Sequence, residues 1–163
     1  MNSVKVKPVK VKPDKAIAEL VYRSCFCLDD LDFASYLDLC SPAFKYKITA
    51  YSPELRKNMV WQEVDKEEMK HHLELVPKHV RDSATLFRHA TVHTIDYSDD
   101  GKQATAISGL QVFKTRRDGG ETQLFGVGRL HDVIDLANGG PLLLSREVRL
   151  ETRQFGTGTQ IPF

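Results

Sequence analysis

Residues 102–136 read KQATAISGLQVFKTRRDGGETQLFGVGRLHDVIDL, two long β-prone runs joined by the turn residues Asp118-Gly119-Gly120. The segments on either side repeat the pattern, with Asp99-Asp100-Gly101 and Asn138-Gly139-Gly140 as further connectors of hairpin chemistry. The second half of the chain therefore predicts an antiparallel meander. Its four runs are Leu86–Ser98, Lys102–Arg117, Glu121–Leu136 and Leu142–Arg153.

The first half of the chain has the periodicity of helices. An amphipathic stripe follows Asp14, which can cap the helix, and its residues are Ile17, Leu20, Val21, Ser24, Leu28 and Leu31. A second short helix presents Phe33, Tyr36, Leu37 and Cys40 on one face, and Ser41-Pro42 ends it.

Two shorter strands and a third helix are predicted between these halves. Alternation of apolar and polar residues over Phe44–Tyr51 indicates a strand, and a second strand is predicted over Met59–Val64. Asp65 and Glu68 have the spacing of a capping box. The helix that they open has an apolar face and is expected to end before Pro77; that face consists of Met69, His72, Leu73 and Val76.

The order of these elements predicts an α+β fold. Strands this long exceed the usual length of about 5–6 residues, so the sheet is expected to be strongly curved. A bent, mostly antiparallel sheet that packs around N-terminal helices is the nuclear-transport-factor-like cone. We expect one such domain over 14–163. Residues 1–13, with the repeated VKVKP, are expected to form an extended basic arm, either a free tail or a strap along a partner subunit.

The composition of the chain excludes several classes of function. Its 23 Lys and Arg residues against 22 Asp and Glu residues argue against a nucleic-acid-binding protein, which usually has a strongly basic face. No apolar run approaches the length of about 20 residues that spans a bilayer. The chain is therefore expected to work in the cytoplasm, without a membrane or nucleic-acid partner.

The histidines and cysteines do not have the spacing of a metal site. His89 and His93 lie on a predicted strand, where four residues separate their rings by about 13 Å. Cys25 and Cys27 point to nearly opposite sides of a predicted helix, and Cys40 remains alone. We therefore expect no metal or cofactor site in this chain.

The cone fold also supports enzymes, because a curved sheet closed by helices can leave an apolar pocket with a pKa-shifted acid or base. The residues that could serve there, if they point inward, are Tyr22, Asp38, His89, His93 and His131. Arg88-His89 could also become cross-strand neighbours of Arg129 and His131. The alternative is that these residues are solvated or satisfied by their neighbours in a filled cone.

Four stretches in order resemble the small (β) subunits of Rieske-type ring-hydroxylating oxygenases, over roughly residues 15 to 163. They are Leu28–Tyr46 (LDDLDFASYLDLCSPAFKY), Arg88-His89, Phe125–Arg129 (FGVGR) and Ser145–Arg153 (SREVRLETR). Within that family, 50–56, 108–113 and 161–163 are similar to the methanesulfonate monooxygenase branch. Leu130-His131-Asp132 departs from the Tyr-Glu-Asp of the aromatic-ring members.

The resemblance implies a non-catalytic assembly subunit in an α3β3 hexamer. The α subunit would carry a Rieske [2Fe–2S] cluster and a mononuclear Fe(II), and a ferredoxin and a reductase would deliver electrons from NADH. The closer resemblance implies that the complex inserts one oxygen atom into methanesulfonate, whose product breaks down to formaldehyde and sulfite. The alternative is a stand-alone isomerase, hydratase or lyase with a His/Asp pair in its pocket.

An assembly subunit works through its contact surfaces, which obligate complexes make large and core-like. We expect contacts in the long strands, the basic arm, the Tyr51–Trp61 loop and the apolar residues Ile161-Pro162-Phe163. Arginine and the large aromatic residues are enriched at interface hot spots. The individual candidates are Tyr51, Arg56, Trp61, Arg88, Arg129, Arg146, Arg149, Arg153, Ile161 and Phe163.

Overall fold

The computed structural model of the protein describes residues 15–79, 83–155 and 161–163. The expected arm over 1–13 and the Asp14 cap lie outside the described residues. The helices in the described part are α1 (Lys15–Asp29), α2 (Phe33–Asp38) and α3 (Lys66–His79). The strands there are β1 (Cys40–Ser52), β2 (Lys57–Asp65), β3 (Thr85–Tyr97), β4 (Gln103–Thr115), β5 (Thr122–Asp135) and β6 (Leu142–Leu150).

The strands form one six-stranded sheet in the order β2-β1-β6-β5-β4-β3. All neighbouring strands are antiparallel except β1 and β6, which run parallel. Helix α1 packs against β3, and α3 packs against β1 and β2. The predicted α+β cone, with helices in a mostly antiparallel sheet, is confirmed. The predicted meander does not include the parallel pairing of β1 with β6.

Extra residues in the ladders bend the long strands. Four strand pairs shift register by one residue, and the residues left without a cross-strand partner are Trp61, His93, Phe125 and Leu144. A bulge of this kind bends its strand and increases the local twist. The strong curvature expected from the strand lengths therefore has a local cause in four of the five ladders.

Several local predictions are confirmed. The Asp65 N–H donates to Glu68 Oε2 at 2.9 Å, and the Glu68 N–H donates to Asp65 Oδ1 at 2.9 Å, which is the capping box at the start of α3. Phe44, Tyr46 and Ile48 alternate inward along β1, where all three are buried.

Four local predictions are wrong. Helix α2 ends at Asp38 and β1 begins at Cys40, so Ser41-Pro42 lies within a strand and does not end the helix.

The other three concern α1 and α3. Leu31 is exposed, because α1 ends at Asp29 and the backbone of Leu31 is left-handed, with φ 58°. His72 is exposed instead of joining the buried face of α3. Helix α3 also continues through Pro77 to His79; the proline stands in the last turn, so the distortion that it causes affects only the end of the helix.

A buried ion pair ties α1 to the sheet inside the cone. The Arg146 guanidinium donates from Nε to Asp132 Oδ1 at 2.7 Å and from Nη2 to Oδ2 at 2.8 Å. Its Nη1 donates to Ser24 Oγ at 2.9 Å, and that hydroxyl donates onward to the Val21 carbonyl of α1. Side-chain exposure is 1% for Arg146 and 0% for Asp132. Burial alone lowers the pKa of Arg146, but the adjacent Asp132 carboxylate raises it above its ordinary value.

Gly128 lets β5 and β6 approach closely. A Cβ at this position would overlap the Arg149 carbonyl oxygen and lie 3.0 Å from Leu150 Cα, both of them backbone atoms. At Gly126 an added Cβ would meet only the rings of Phe163 and Phe155, at 3.1 and 3.3 Å. Gly128 is therefore required by the backbone itself, whereas Gly126 makes room for side chains.

We predict that Asp132→Asn lowers the free energy of unfolding by about 3–5 kcal/mol, because it leaves the Arg146 charge buried without a counter-ion. Urea unfolding followed by circular dichroism measures the change. Asp96→Asn, at an exposed carboxylate of β3, is the control and should change stability by less than about 0.5 kcal/mol. The double variant Asp132→Leu with Arg146→Met should be less destabilised than Asp132→Asn. Equal stability of Asp132→Asn and the wild type would contradict this account.

We also predict that Gly128→Ala destabilises the protein by more than about 2 kcal/mol, because the new methyl group meets backbone that can move only by separating β5 from β6. Gly109→Ala is the matched control in β4. Its Cβ would meet only the ring of the exposed His93, at 3.0 Å, and this ring can rotate away. Thermal unfolding compares the two variants, and an equal loss of Tm would count against the role given to Gly128.

Candidate functional site

The interior of the cone is filled by large side chains. The buried Arg146–Asp132 pair lies among apolar and aromatic residues, of which the largest with less than 2% exposure include Tyr36, Tyr46 and Phe44. Burial raises the pKa of the Tyr46 hydroxyl to about 12 and that of Tyr36 well above its ordinary value. These phenols stay protonated near neutral pH and serve as packing residues.

The acid–base candidates for a stand-alone enzyme do not point inward. Asp38, His89 and His93 are exposed, and the half-buried His131 alternates with the inward-facing Leu130 and Asp132. Burial and the nearby Arg149 lower the pKa of His131.

Two further expectations for this pocket also fail. Tyr22 reaches the edge of β3, where its hydroxyl accepts a hydrogen bond from the Val92 N–H. Arg88-His89 and Arg129 with His131 are not cross-strand neighbours, because β4 separates β3 from β5. The described residues therefore form no inward-facing pair of the kind that the enzyme alternative requires.

The described residues of this chain do not fit a Rieske cluster or a mononuclear iron. In 15–79, 83–155 and 161–163, no three His, Cys, Asp or Glu side chains converge as a metal site would require. Burial raises the pKa of the Cys25 thiol and raises that of Cys40 to about 12, so neither is a thiolate near neutral pH. No step of iron chemistry is assigned to this chain.

Residues 161–163 close the mouth of the cone. Arg88 donates through Nη1 to Asp29 of α1 and through Nη2 to the Pro162 carbonyl. The Phe163 N–H donates to the Tyr46 hydroxyl at 2.9 Å. One buried guanidinium thus joins α1, β3 and the 161–163 segment.

Aromatic rings hold the same segment from its other side. The Phe163 ring lies 5.1 Å from the Phe155 ring and 6.0 Å from the Phe125 ring, and Trp61 meets Phe155 edge-on at 5.4 Å. We call Trp61, Phe125, Phe155 and Phe163 the mouth cluster. Trp61 and Phe125 are bulged residues, so the irregularities that curve the sheet also direct rings into this cluster.

A cleft of about 320 Å³ remains beside the closed mouth, between α3 and the 161–163 segment. Its walls are mainly apolar, and its polar groups are Gln62 Nε2 and His72 Nδ1, which lie 3.4 Å apart. Among the described residues that line the cleft there is no Asp or Glu side chain, so it lacks the His/Asp pair of the enzyme alternative.

The ten predicted interface residues divide by burial. Arg88, Arg146 and Phe163 are buried within the chain and have partners there. Ile161 is half-buried in the wall of the cleft. The exposed members are Tyr51, Arg56, Trp61, Arg129, Arg149 and Arg153.

The hairpin between β1 and β2 carries the exposed candidates Tyr51 and Arg56 at its tip, and side-chain hydrogen bonds fix this tip. Arg153 donates through Nη1 to Glu54 Oε1 and Oε2 at 3.0 and 2.7 Å, and Ser52 Oγ donates to Glu54 Oε2 at 3.0 Å. These bonds lower the pKa of Glu54 to about 2. Arg56 has φ 50°, a left-handed conformation that usually favours glycine.

Arg129 and Arg149 form the second exposed group, directly opposite each other on β5 and β6. Like charges at opposed positions repel each other. Each has a carboxylate nearby, with Arg129 Nη1 3.6 Å from Glu151 Oε1 and Arg149 Nη2 3.1 Å from Glu147 Oε2. The outer face of the sheet therefore carries paired charges of both signs.

Sequence reasoning missed a row of apolar residues on that outer face. Phe87, Phe113 and Leu124 stand in direct register on β3, β4 and β5, and Phe87 and Leu124 are 57% and 55% exposed. Hairpin turns on both sides of β4 could have indicated this alignment. Exposed apolar residues in contiguous groups mark interaction surfaces.

Comparisons with known proteins show what this chain is similar to. No described helix has the length and apolarity needed to cross a membrane. No protein-family model matches the chain. It is 35% identical, over 154 residues, to the "methanesulfonate monooxygenase hydroxylase subunit beta" of Methylosulfonomonas methylovora, covering 90% of this chain and 85% of that one. It is 33% identical over 151 residues to the "2-aminobenzenesulfonate 2,3-dioxygenase subunit beta" of an Alcaligenes species, covering 90% and 97%.

Solved structures agree with the fold. The chain superposes with a TM-score of 0.71 on the β subunit of a proposed aromatic-ring-hydroxylating dioxygenase from Novosphingobium aromaticivorans, at 24% identity, covering 85% of this chain and 89% of that one. This similarity supports the cone fold, and the two curated relatives, at more than 30% identity over nine tenths of the chain, show the family. The chain belongs to the β subunits of Rieske-type ring-hydroxylating oxygenases.

Proposed function

We propose that this chain is a non-catalytic assembly subunit of the terminal oxygenase of a sulfonate-oxidising Rieske system, and that methanesulfonate is the substrate. The observation that carries the proposal is the 35% identity to a methanesulfonate monooxygenase β subunit. The second relative is named for another sulfonate, which supports the substrate class. The filled cone supports a structural role, because the buried Arg146–Asp132 pair takes the space of a pocket.

The proposed partners follow from the family. A larger α subunit would hold the Rieske [2Fe–2S] cluster and the mononuclear iron in an α3β3 assembly, and a ferredoxin and a reductase would supply electrons from NADH in the cytoplasm. One oxygen atom would enter methanesulfonate, whose product breaks down to formaldehyde and sulfite. Residues 14–163 would be the cone domain, and an arm over 1–13 that straps a partner stays a prediction.

The contact surface that we propose for assembly is the exposed hairpin tip together with the outer face of the sheet. Tyr51 is 54% exposed and Leu55 is 58% exposed, beside Arg56 on the tip that Glu54 and Arg153 fix. A fixed tip loses little conformational entropy when it binds. Tyr and Arg are the residue types that dominate interface hot spots.

The proposal predicts that gentle affinity purification of this chain from its native host yields a brown complex with a larger subunit. After the subunits are separated, iron should stay with the larger one. A chelator should not change the Tm of the separated chain, because its described residues do not fit a metal site. A colourless chain that purifies without any partner would overturn the proposed function.

We predict that Tyr51→Ala and Arg56→Ala each weaken assembly with the larger subunit by about tenfold, which corresponds to about 1.4 kcal/mol, because each removes an exposed side chain of a type enriched at interfaces. Lys102→Ala, at an exposed position in the turn between β3 and β4, is the control and should leave assembly unchanged. Mass photometry over a dilution series measures the effect. Wild-type assembly by both hairpin variants would exclude the tip as a contact.

A further inference from the structure

The two edges of the sheet are protected differently. The described strands leave β2 and β3 as the edges. On β3, the Arg88 N–H donates to Asp29 Oδ2 at 3.0 Å and the Val92 N–H donates to Tyr22 Oη at 3.4 Å. Both acceptors belong to α1, which packs along this strand. Two backbone donors of β3 that face away from the sheet, those of Arg88 and Val92, are therefore capped by side chains of the same chain.

The edge at β2 has no such cap in the described part of the chain. Its strand neighbour there is β1 alone, and α3 packs on it without a hydrogen bond to the outward backbone of Lys57–Val64. Val60 and Trp61 on this strand are 51% and 43% exposed. Natural proteins usually cover or blunt an edge with these properties, because it is a template for pairing with another strand.

The chemistry of the β2 edge defines what could cover it. The bulge at Trp61 leaves Lys57–Val60 as a regular stretch, with about 10 Å between its first and last Cα atoms at a rise of about 3.3 Å per residue. Its alternating backbone donors and acceptors match another extended backbone and no other common ligand. Lys57 stands at one end of this stretch, whereas Glu63 lies beyond the bulge and already has Lys47 Nζ 3.8 Å from its Oε2. A complementary segment therefore has apolar residues and a carboxylate that faces Lys57.

We propose that the free edge of β2 accepts an extended strand from the large oxygenase subunit, which continues the sheet of this chain across the interface. The inference rests on the proposed function, because it takes the large subunit as the partner. A second copy of this chain fits less well. Its β3 edge is capped, and pairing of two β2 edges about a twofold axis closes after two copies, whereas the proposed assembly has threefold symmetry.

Hydrogen–deuterium exchange of the purified complex and of the separated chain tests the proposal directly. Backbone pairing should slow exchange in the peptide covering 57–63 by at least about tenfold on assembly, whereas 85–97, on the capped edge, should change by less than about twofold. A complex that forms without protection at 57–63 would overturn the edge inference and leave the proposed function standing. A chain that purifies alone overturns both.

A matched pair of variants separates the two edges. Val60→Lys places a charge on the open edge and should weaken assembly with the large subunit by about tenfold or more. Phe26→Lys replaces a similarly exposed apolar residue, at 61% against 51%, on α1 beside the capped edge and should stay within about twofold of the wild type. Circular dichroism checks that both variants fold. Equal effects of the two variants would contradict the proposal, as would protection of 57–63 already present in a dimer of the separated chain.

Discussion

The buried Arg146–Asp132 pair constrains the rest of the cone. Two charges with almost no exposure are tolerated only when their hydrogen bonds are satisfied, and here the carboxylate takes two bonds and Ser24 takes a third. The Ser24 hydroxyl also donates a hydrogen bond to the backbone of α1. The helix therefore has one position in which the hydrogen bonds of the guanidinium are satisfied. A pocket that opened beside this pair would expose or unpair a charge, so the pair favours a sealed interior.

The curvature of the sheet and the closure of its mouth have a common origin. The bulges at Trp61 and Phe125 bend β2 and β5, and they also direct both rings into the mouth cluster. Gly126 supplies the space in which Phe163 and Phe155 lie. A regular ladder would place the side chains at these positions in strict alternation and would not bring both rings to the cluster. The irregular residues therefore shape the sheet and close it.

Alternation of inward and outward residues along the strands made the fold predictable, and it also indicates the buried ion pair. Arg146 is in phase with the inward-facing Val148 and Leu150, and Asp132 is in phase with Leu130 and Ile134. An arginine and an aspartate in apolar phase predict an internal pair once their strands are known to be neighbours.

The remaining features depend on contacts between residues far apart in the chain. The parallel pairing of β1 with β6 joins segments about 100 residues apart, and no turn residue indicates it. The bulge at His93 shifts the phase of β3, so the outward positions of that strand could not be counted from its first residues. His89 and His93 keep the outward phase of the first half of β3, whereas Thr94 and Asp96 are outward only because of the shift.

Because the interior of the cone is filled, its surface is the part that can bind a partner. On that surface, the two edges of the sheet differ. Helix α1 can cap one edge because Tyr22 and Asp29 lie beside β3, but α3 packs on the sheet next to β2 without bonding the outward backbone of that edge. The hairpin that carries β2 also presents Tyr51, Leu55 and Arg56 on a tip fixed by an ion pair. Open backbone and exposed anchor residues thus occur at the same corner of the sheet, as expected if assembly, and not catalysis, has shaped this chain.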